Sequence, residues 1–265
     1  MQLCSIASGS SGNCIYLGDD NTHVIVDAGI SGKRIEAGLS SIGIKGDELS
    51  GILVTHEHSD HISGLGVMAR RYGVPIYATR GTLDYISSSK SMGKIPAELF
   101  CEVKEDEEFD LGTLRVRPIS ISHDAAQPVA YRVAAGKKSA AVMTDLGYFD
   151  DYIVKNLEGL DILLLEANHD IRMLETGSYP YYLKQRILGK KGHLSNENAG
   201  RLLNRVLNSH IKKILLGHLS RENNYEQLAY ETVRLEVDMG EGPYRASDFD
   251  ISIARRDEMS ALFSC

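Results

Sequence analysis

Long hydrophobic runs are missing: no uninterrupted apolar stretch exceeds four of the 265 residues, against roughly 20 for a membrane-spanning helix. The start, residues 1–10, lacks a basic region followed by an apolar stretch, so no secretory signal is expected there. Cysteine is scarce. Cys4, Cys14, Cys101 and Cys265 have the spacing of neither a zinc knuckle nor a C-x-x-C redox pair. Buried, reduced thiols of a cytoplasmic protein are the expectation. No Pro/Gly/Ser-rich linker, internal repeat or low-complexity tract interrupts the chain. Excess positive charge is absent too. The net charge of −7 argues against non-specific coating of nucleic acid or membrane. It leaves room for a nucleic-acid enzyme, because metal ions and a local basic strip can outweigh the global sign.

What is present is an ordinary globular composition, 43% hydrophobic and 25% charged, which excludes a disordered, collagen-like or coiled-coil protein. A chain of this length buries roughly three quarters of its unfolded surface and needs no disulfides. Apolar alternation and turn chemistry predict strands over 2–6, 14–17, 23–27, 51–54, 75–77, 114–121, 129–135, 139–143, 161–165, 212–216 and 251–254. Helical spacing predicts helices over 31–41, 64–72, 81–89, 151–157, 196–207 and 225–237. The acidic run 104–110 reads as a solvated hairpin. Strands mixed with helices and no linker predict one layered α/β domain over residues 1–265.

The strongest chemical signal is Thr55-His56-Glu57-His58-Ser59-Asp60-His61, where three of the nine histidines fall within six residues after a buried strand. Imidazole and carboxylate are ligands for divalent transition metals. A loop leaving a strand can turn His56 and His58 toward one ion, and Asp60 and His61 toward another. Four more apolar strands end in a ligand-type residue: Asp27, His123, Asp145 and His218. A lone histidine at a strand end is more often a hydrogen-bonded structural residue. The set together places ligand chemistry where active sites collect.

This ordered set, Asp27, the His56–His61 motif, His123, Asp145 and His218, resembles the metallo-β-lactamase superfamily over essentially the whole chain. The resemblance implies a four-layer αββα sandwich with a metal site at one edge. It implies two divalent ions (Zn²⁺, Mn²⁺ or Fe²⁺). His56, His58 and His123 would hold the first, and Asp60, His61 and His218 the second. Asp145 would bridge both, and Asp27 would orient the motif loop from behind. Asp60 counts among the catalytic residues as well. Four further segments are similar to the YycJ (WalJ) group of superfamily exonucleases: Ser8-Gly9-Ser10-Ser11-Gly12-Asn13, Glu166-Ala167-Asn168-His169-Asp170, Gly192-His193-Leu194-Ser195-Asn196 and His218-Leu219-Ser220-Arg221-Glu222-Asn223. That likeness implies a cytoplasmic, non-membrane 5′-to-3′ DNA exonuclease of DNA repair, in which a metal-bridging hydroxide attacks phosphorus.

His193 stands before a helix start, where an imidazole can contact phosphate or protonate a leaving oxygen. The related RNase Z group has a histidine there paired with a carboxylate near the end of an earlier strand, and Glu166 matches that carboxylate. Helix capping is the competing role for His193. The loop 8–13 fits a phosphate cradle and a tight turn equally. Residues 170–191 carry five basic residues and two acids, a net +3, with Tyr179, Tyr181 and Tyr182 interleaved. Such a strip holds a single nucleic-acid strand, or is a solvated helix with its tyrosines turned inward. His169 fits a site residue and a structural partner of its loop. His23 is expected half-buried and His210 at the surface.

Rival readings are a small-molecule or cyclic-phosphate phosphodiesterase of the PhnP type, an RNase Z-like ribonuclease, and a lactamase- or glyoxalase-type hydrolase. The flavodiiron variant carries Glu where His58 stands. A metal-free binding scaffold would have lost ligands, and all seven positions are filled. The native metal, the oligomeric state and the pathway leave no mark in the sequence.

Overall fold

The layering follows from period-two alternation along the strands. The computed structural model describes residues 1–265. Its first half contains β1 (Gln2–Ala7), β2 (Cys14–Gly18), β3 (His23–Val26), α1 (Gly32–Ser41), β4 (Leu49–Leu53), α2 (Ser59–Ile62), α3 (Leu65–Tyr72), β5 (Ile76–Ala78), α4 (Arg80–Ser88), β6 (Phe100–Glu102), β7 (Phe109–Leu111) and β8 (Leu114–Ser120). Then come β9 (Val129–Ala135), β10 (Lys138–Met143), α5 (Asp151–Leu157), β11 (Ile162–Glu166), α6 (Ile171–Thr176), α7 (Tyr181–Leu188), α8 (Asn196–Val206), β12 (Lys213–Gly217), α9 (Glu226–Asp238), β13 (Ile251–Ile253) and β14 (Phe263–Ser264).

Two seven-stranded sheets form, in the orders β14-β1-β2-β3-β4-β5-β6 and β13-β12-β11-β10-β9-β8-β7. Leu17, Val24 and Val26 of the first meet Val142, Ile162 and Leu164 of the second in a core between the sheets. The alternate residues face outward. Ala141, Met143, Leu163 and Leu165 pack under Leu202, Leu203 and Val233 of α8 and α9. Ile25 and Ile52 pack under Ile35 and Leu39 of α1 and Met68 of α3. Each fully buried Leu or Ile contributes about 1.5–3 kcal/mol by leaving water. Both faces of both sheets are covered, which gives the αββα sandwich.

The elements expected from sequence form within two residues of their expected ends. The acidic run is a correction. Residues 104–110 are not a hairpin but the crossing from β6 in one sheet to β7 in the other. The hairpin comes later, where Gly112 (φ 60°) turns β7 into β8. The basic strip holds two helices, α6 and α7, where one of its two readings had a single solvated helix. They are short, six and eight residues, and bury only Leu174 and Ile187, so they carry almost no apolar periodicity. The edge strands β6 and β14 have three and two residues, too few to alternate visibly. All four cysteines are free. Cys4 and Cys14 are buried as expected, while Cys101 and Cys265 are only half-buried.

Candidate metal centre

Strand direction brings the ligand-type residues together. β10, β11 and β12 run parallel, and β8 runs the same way with β9 antiparallel between it and β10. His123, Asp145, Glu166 and His218 therefore leave the second sheet at one edge. β3 and β4 of the first sheet are parallel as well, and deliver Asp27 and the Thr55–His61 loop. Asp27, Asp145 and His218 all have left-handed backbones, with φ of 61°, 58° and 55°. That region is unfavourable for side chains other than glycine and collects at functional sites. The one-turn helix α2 turns Asp60 away from His56 and His58, while the His61 ring stays packed beside that of His56, 4.1 Å between centroids. Asn13 N and Ala28 N hold the helix by donating to the carbonyls of Asp60 and His61, both at 2.8 Å. Gly29 is required beside it, because a β-carbon there would lie 1.7 Å from the Asp60 carbonyl oxygen.

Two groups of side chains result, with Asp145 facing both. His56 Nε2 and His123 Nε2 lie 3.0 and 3.3 Å from His58 Nδ1. His61 Nε2 and His218 Nε2 each lie 3.5 Å from Asp60 Oδ2. Asp145 Oδ2 is 3.2 Å from His61 Nε2, and Asp145 Oδ1 is 3.6 and 3.7 Å from the Nε2 atoms of His123 and His218. All seven residues proposed from sequence as ligands thus converge, and all are buried except His58 and Asp60, which are half-buried.

Partners behind the rings fix which nitrogen faces inward. His61 Nδ1 donates to Asp27 Oδ2 (2.6 Å), His218 Nδ1 to Glu166 Oε1 (2.7 Å) and His123 Nδ1 to the Gly192 carbonyl (3.0 Å). Each Nε2 is left pointing at the centre. Asp145 Oδ2 is buried and has no hydrogen-bond donor. Inward-facing nitrogens about a donorless carboxylate oxygen fit divalent cations.

Electrostatics agrees with that fit. Burial, and then the charge of His61, hold His56 well below the usual imidazole range, so its ring is neutral. Burial likewise lowers His123. Burial opposes charge on His61, yet Asp27, Asp145 and Asp60 together hold it well above the usual value. The same contest, with Asp145 the leading carboxylate, pushes His218 up to about 10. Metal would compete with protons for these two rings, so loading is expected to weaken as pH falls.

His193 reaches the same cluster from the loop after α7. Its Nδ1 donates to Glu166 Oε1 at 2.9 Å and lies 3.6 Å from Asp145 Oδ1. Glu166 is fully buried at the end of β11. Its Oε2 accepts the backbone N–H groups of Leu146 (2.8 Å) and Leu194 (3.0 Å). Burial opposes its ionisation, but His193 and His218 bring the carboxyl down to about 2. Sequence reasoning paired Glu166 with His193 and missed that the same oxygen orients His218. It also missed Thr55, whose hydroxyl and N–H both meet Asp27. Glu57 was missed as well. It lies buried beneath the His123 loop and accepts the Ala126 N–H at 2.7 Å. Only their positions inside the histidine motif hinted at the last two.

The remaining candidates divide. In the loop 8–13, Ser8 Oγ accepts the His218 N–H (2.9 Å) and Asn13 Oδ1 accepts the Gly9 N–H (3.0 Å). Those two side chains brace the site from inside. Tyr181 and Tyr182 are 76% and 75% exposed, which removes the inward-turned alternative for them. Two of the strip's cations are already engaged. Lys184 Nζ donates to the Glu175 and Gly177 carbonyls at the end of α6 (2.8 and 2.7 Å), and Arg186 pairs with Asp124 beside His123. Arg172, Lys190 and Lys191 are exposed. His23 is half-buried and bonded to Tyr16, and His210 is exposed, both as expected.

His169 belongs to no ligand cluster. It is 1% exposed, and its carbonyl accepts the Asn196 N–H, which ties the His193 loop down. Burial lowers its pKa to about 4. The folded value lies below the unfolded one of about 6.5, so the unfolded chain takes up the proton more readily. The resulting stability is fully present above about pH 6.5 and is lost as pH falls toward 4, on the order of 3 kcal/mol in all. Urea midpoints measured with chelator at pH 7 and 4.5 are expected to differ less for His169→Gln than for the wild type, the lowered His56 and His123 keeping part of the pH dependence in both. Equal slopes in the two proteins would contradict this.

Comparison with known proteins matches the β-lactamase superfamily domain family over residues 22–218. The chain is 43% identical over 240 residues to the exodeoxyribonuclease WalJ of Streptococcus pneumoniae, covering 89% of each chain. It is 40% identical over 228 residues to the exodeoxyribonuclease YycJ of Bacillus anthracis, covering 86% of each. The solved structure of Zn²⁺-bound PqqB from Methylobacterium extorquens superposes with a TM-score of 0.71 at 17% identity, covering 99% of this chain and all of that one. On that family match and these identities, the chain belongs to the metallo-β-lactamase superfamily, in the group that includes the WalJ and YycJ proteins, and is a metal-dependent hydrolase.

Proposed function

We propose that the chain is a 5′-to-3′ DNA exonuclease working with two divalent ions. His56, His58 and His123 would hold one ion and Asp60, His61 and His218 the other, with Asp145 between them. Bound there, the ions would supply a nucleophile at neutral pH and would neutralise charge developing on the phosphoryl oxygens. The chain's own part is threefold. Asp27, Glu166 and the Gly192 carbonyl hold the ligand rings in register. Strand edges of both sheets close the site, which supports treating residues 1–265 as one domain. His193, held by Glu166, presents its free Nε2 to the leaving 3′-oxygen and gives it a proton.

The observation that carries the reading is the His193–Glu166 pair standing beside Asp145. An acid placed there is needed for an alkoxide leaving group, the kind a phosphodiester of DNA has. The curated exodeoxyribonuclease relatives support DNA as the substrate. No helix is long and apolar enough to cross a membrane. Four unpaired cysteines support work in the reducing cytoplasm.

The test is a panel of substrates for the Mn²⁺- or Zn²⁺-loaded protein: 5′-phosphorylated duplex DNA, single-stranded DNA, RNA and a cyclic phosphodiester. DNA is expected to be consumed, with a 5′-end label released first as a mononucleotide. Release from the 3′ end would overturn the polarity. Preferential loss of RNA would favour the RNase Z-like reading, and turnover of the cyclic ester alone the PhnP-type one.

A further inference from the structure

A cavity of about 230 Å³ lies beside the chain that follows His218, with Leu219 and Ser220 in its lining. Its walls include Ser8, Ser220, Arg221, Tyr225, Arg255 and Arg256. Two contacts tie it to the centre. Ser8 Oγ accepts the His218 N–H (2.9 Å), and Arg256 Nη2 donates to the carbonyl of Leu219, the next residue (2.9 Å). Whatever fills the cavity therefore lies one residue from a ligand of the metal cluster.

The charge inside is not balanced by protein. Arg255 is matched by Glu226 at 3.0 Å, the acid in the same wall. Arg221 is exposed and has no hydrogen-bond or ion-pair partner, while Arg256 makes no ion pair and its buried Nε has no acceptor. A buried charged donor without an acceptor is costly, and an anion's oxygens satisfy it. Gly9 makes the room: a β-carbon there would stand 3.0 Å from Arg256 Nε. The glycine-rich loop thus lets an arginine lie along it. At the mouth, Tyr225 is 55% exposed and offers a face on which a base can stack.

We infer that this cavity binds a phosphate of the nucleic-acid strand through Arg221 and Arg256, with the adjoining base on Tyr225. The inference rests on the nucleic-acid reading above and adds where the strand is gripped beyond the bond that is cut. The phosphate is the 5′-terminal one or an internal one of the backbone.

The probe is a labelled single-stranded DNA of about 12 nucleotides, with a 5′-phosphate or a 5′-hydroxyl. Binding is read by fluorescence anisotropy in chelator, without turnover, over a series of KCl concentrations. Arg221→Ala and Arg256→Gln are each expected to weaken binding about tenfold and to lower the slope of log K against log salt by about 0.7, one phosphate contact on a single strand. For the loaded enzyme, kcat/KM on DNA should fall about tenfold more than on bis(p-nitrophenyl) phosphate. An effect confined to the 5′-phosphorylated probe makes the phosphate terminal, and an equal effect on both probes makes it internal. Wild-type affinity and salt slope in the exposed, unpartnered Arg221→Ala variant would overturn the inference. A wild-type protein that binds DNA but never cuts it would overturn the proposed function instead, and the binding series would still decide the cavity.

Discussion

Replacing Asp145 by alanine is expected to reduce bound metal from about two ions per chain to one or fewer, and to bring turnover to background. Asp145 is the one carboxylate that faces both groups, at 3.2 Å from His61, 3.6 Å from His123 and 3.7 Å from His218. Burial opposes its ionisation, yet His218 and His61 hold it well below the usual carboxylate range, which favours the charged form. Removing it deletes the buried negative charge that both groups face and leaves the imidazoles to hold two cations with one carboxylate fewer. Metal analysis of protein purified without chelator reads the first effect, and hydrolysis of bis(p-nitrophenyl) phosphate reads the second. Circular dichroism separates both from unfolding. A fully metallated, fully active Asp145→Ala protein would remove Asp145 from the centre.

The second large effect belongs to His193. His193→Ala should retain its metals and its fold, because the ring is partly exposed and its one strong bond is to Glu166. On DNA the rate should fall roughly 10²–10⁴-fold, the contribution of a positioned general acid. On bis(p-nitrophenyl) phosphate the loss should be far smaller, since p-nitrophenolate leaves without a proton. Equal losses on the two substrates would assign His193 to binding. Glu166 cannot serve as the same test. It also orients His218 and takes the N–H groups of Leu146 and Leu194. Glu166→Gln should therefore lower metal content as well as rate, and that difference from His193→Ala tests its double duty.

The basic strip, residues 170–191, shows what a count of charges leaves out. Counting charges made Lys184 and Arg186 equal to Lys190 and Lys191. In the fold, Lys184 closes the end of α6 and Arg186 pairs with Asp124. Charge reversal at Lys184 disturbs a helix end before it disturbs any nucleic acid. Conversely, the arginine cavity was invisible, because its walls come from four separate stretches of chain.

Local pattern was enough for the strands, the long helices and the inventory of ligand-type residues. Alternation with a period of two marks which side chains enter a core, and a polar residue that ends such a run must stand at a sheet edge. Those are near-neighbour properties, and they brought Asp27 and the seven ligand-type residues to notice from the chain alone, whereas Glu166 and His193 came from the family resemblance. Short elements such as β6, α6 and α7 bury too little to leave a periodic trace. Partnership across the chain was decided only by tertiary structure. Glu166 meets His218 across 52 positions and Ser8 meets His218 across 210. Nothing local selects one carboxylate or hydroxyl over another at such separations. The parallel register of β10, β11 and β12 and the closing of one sheet on the other decide it.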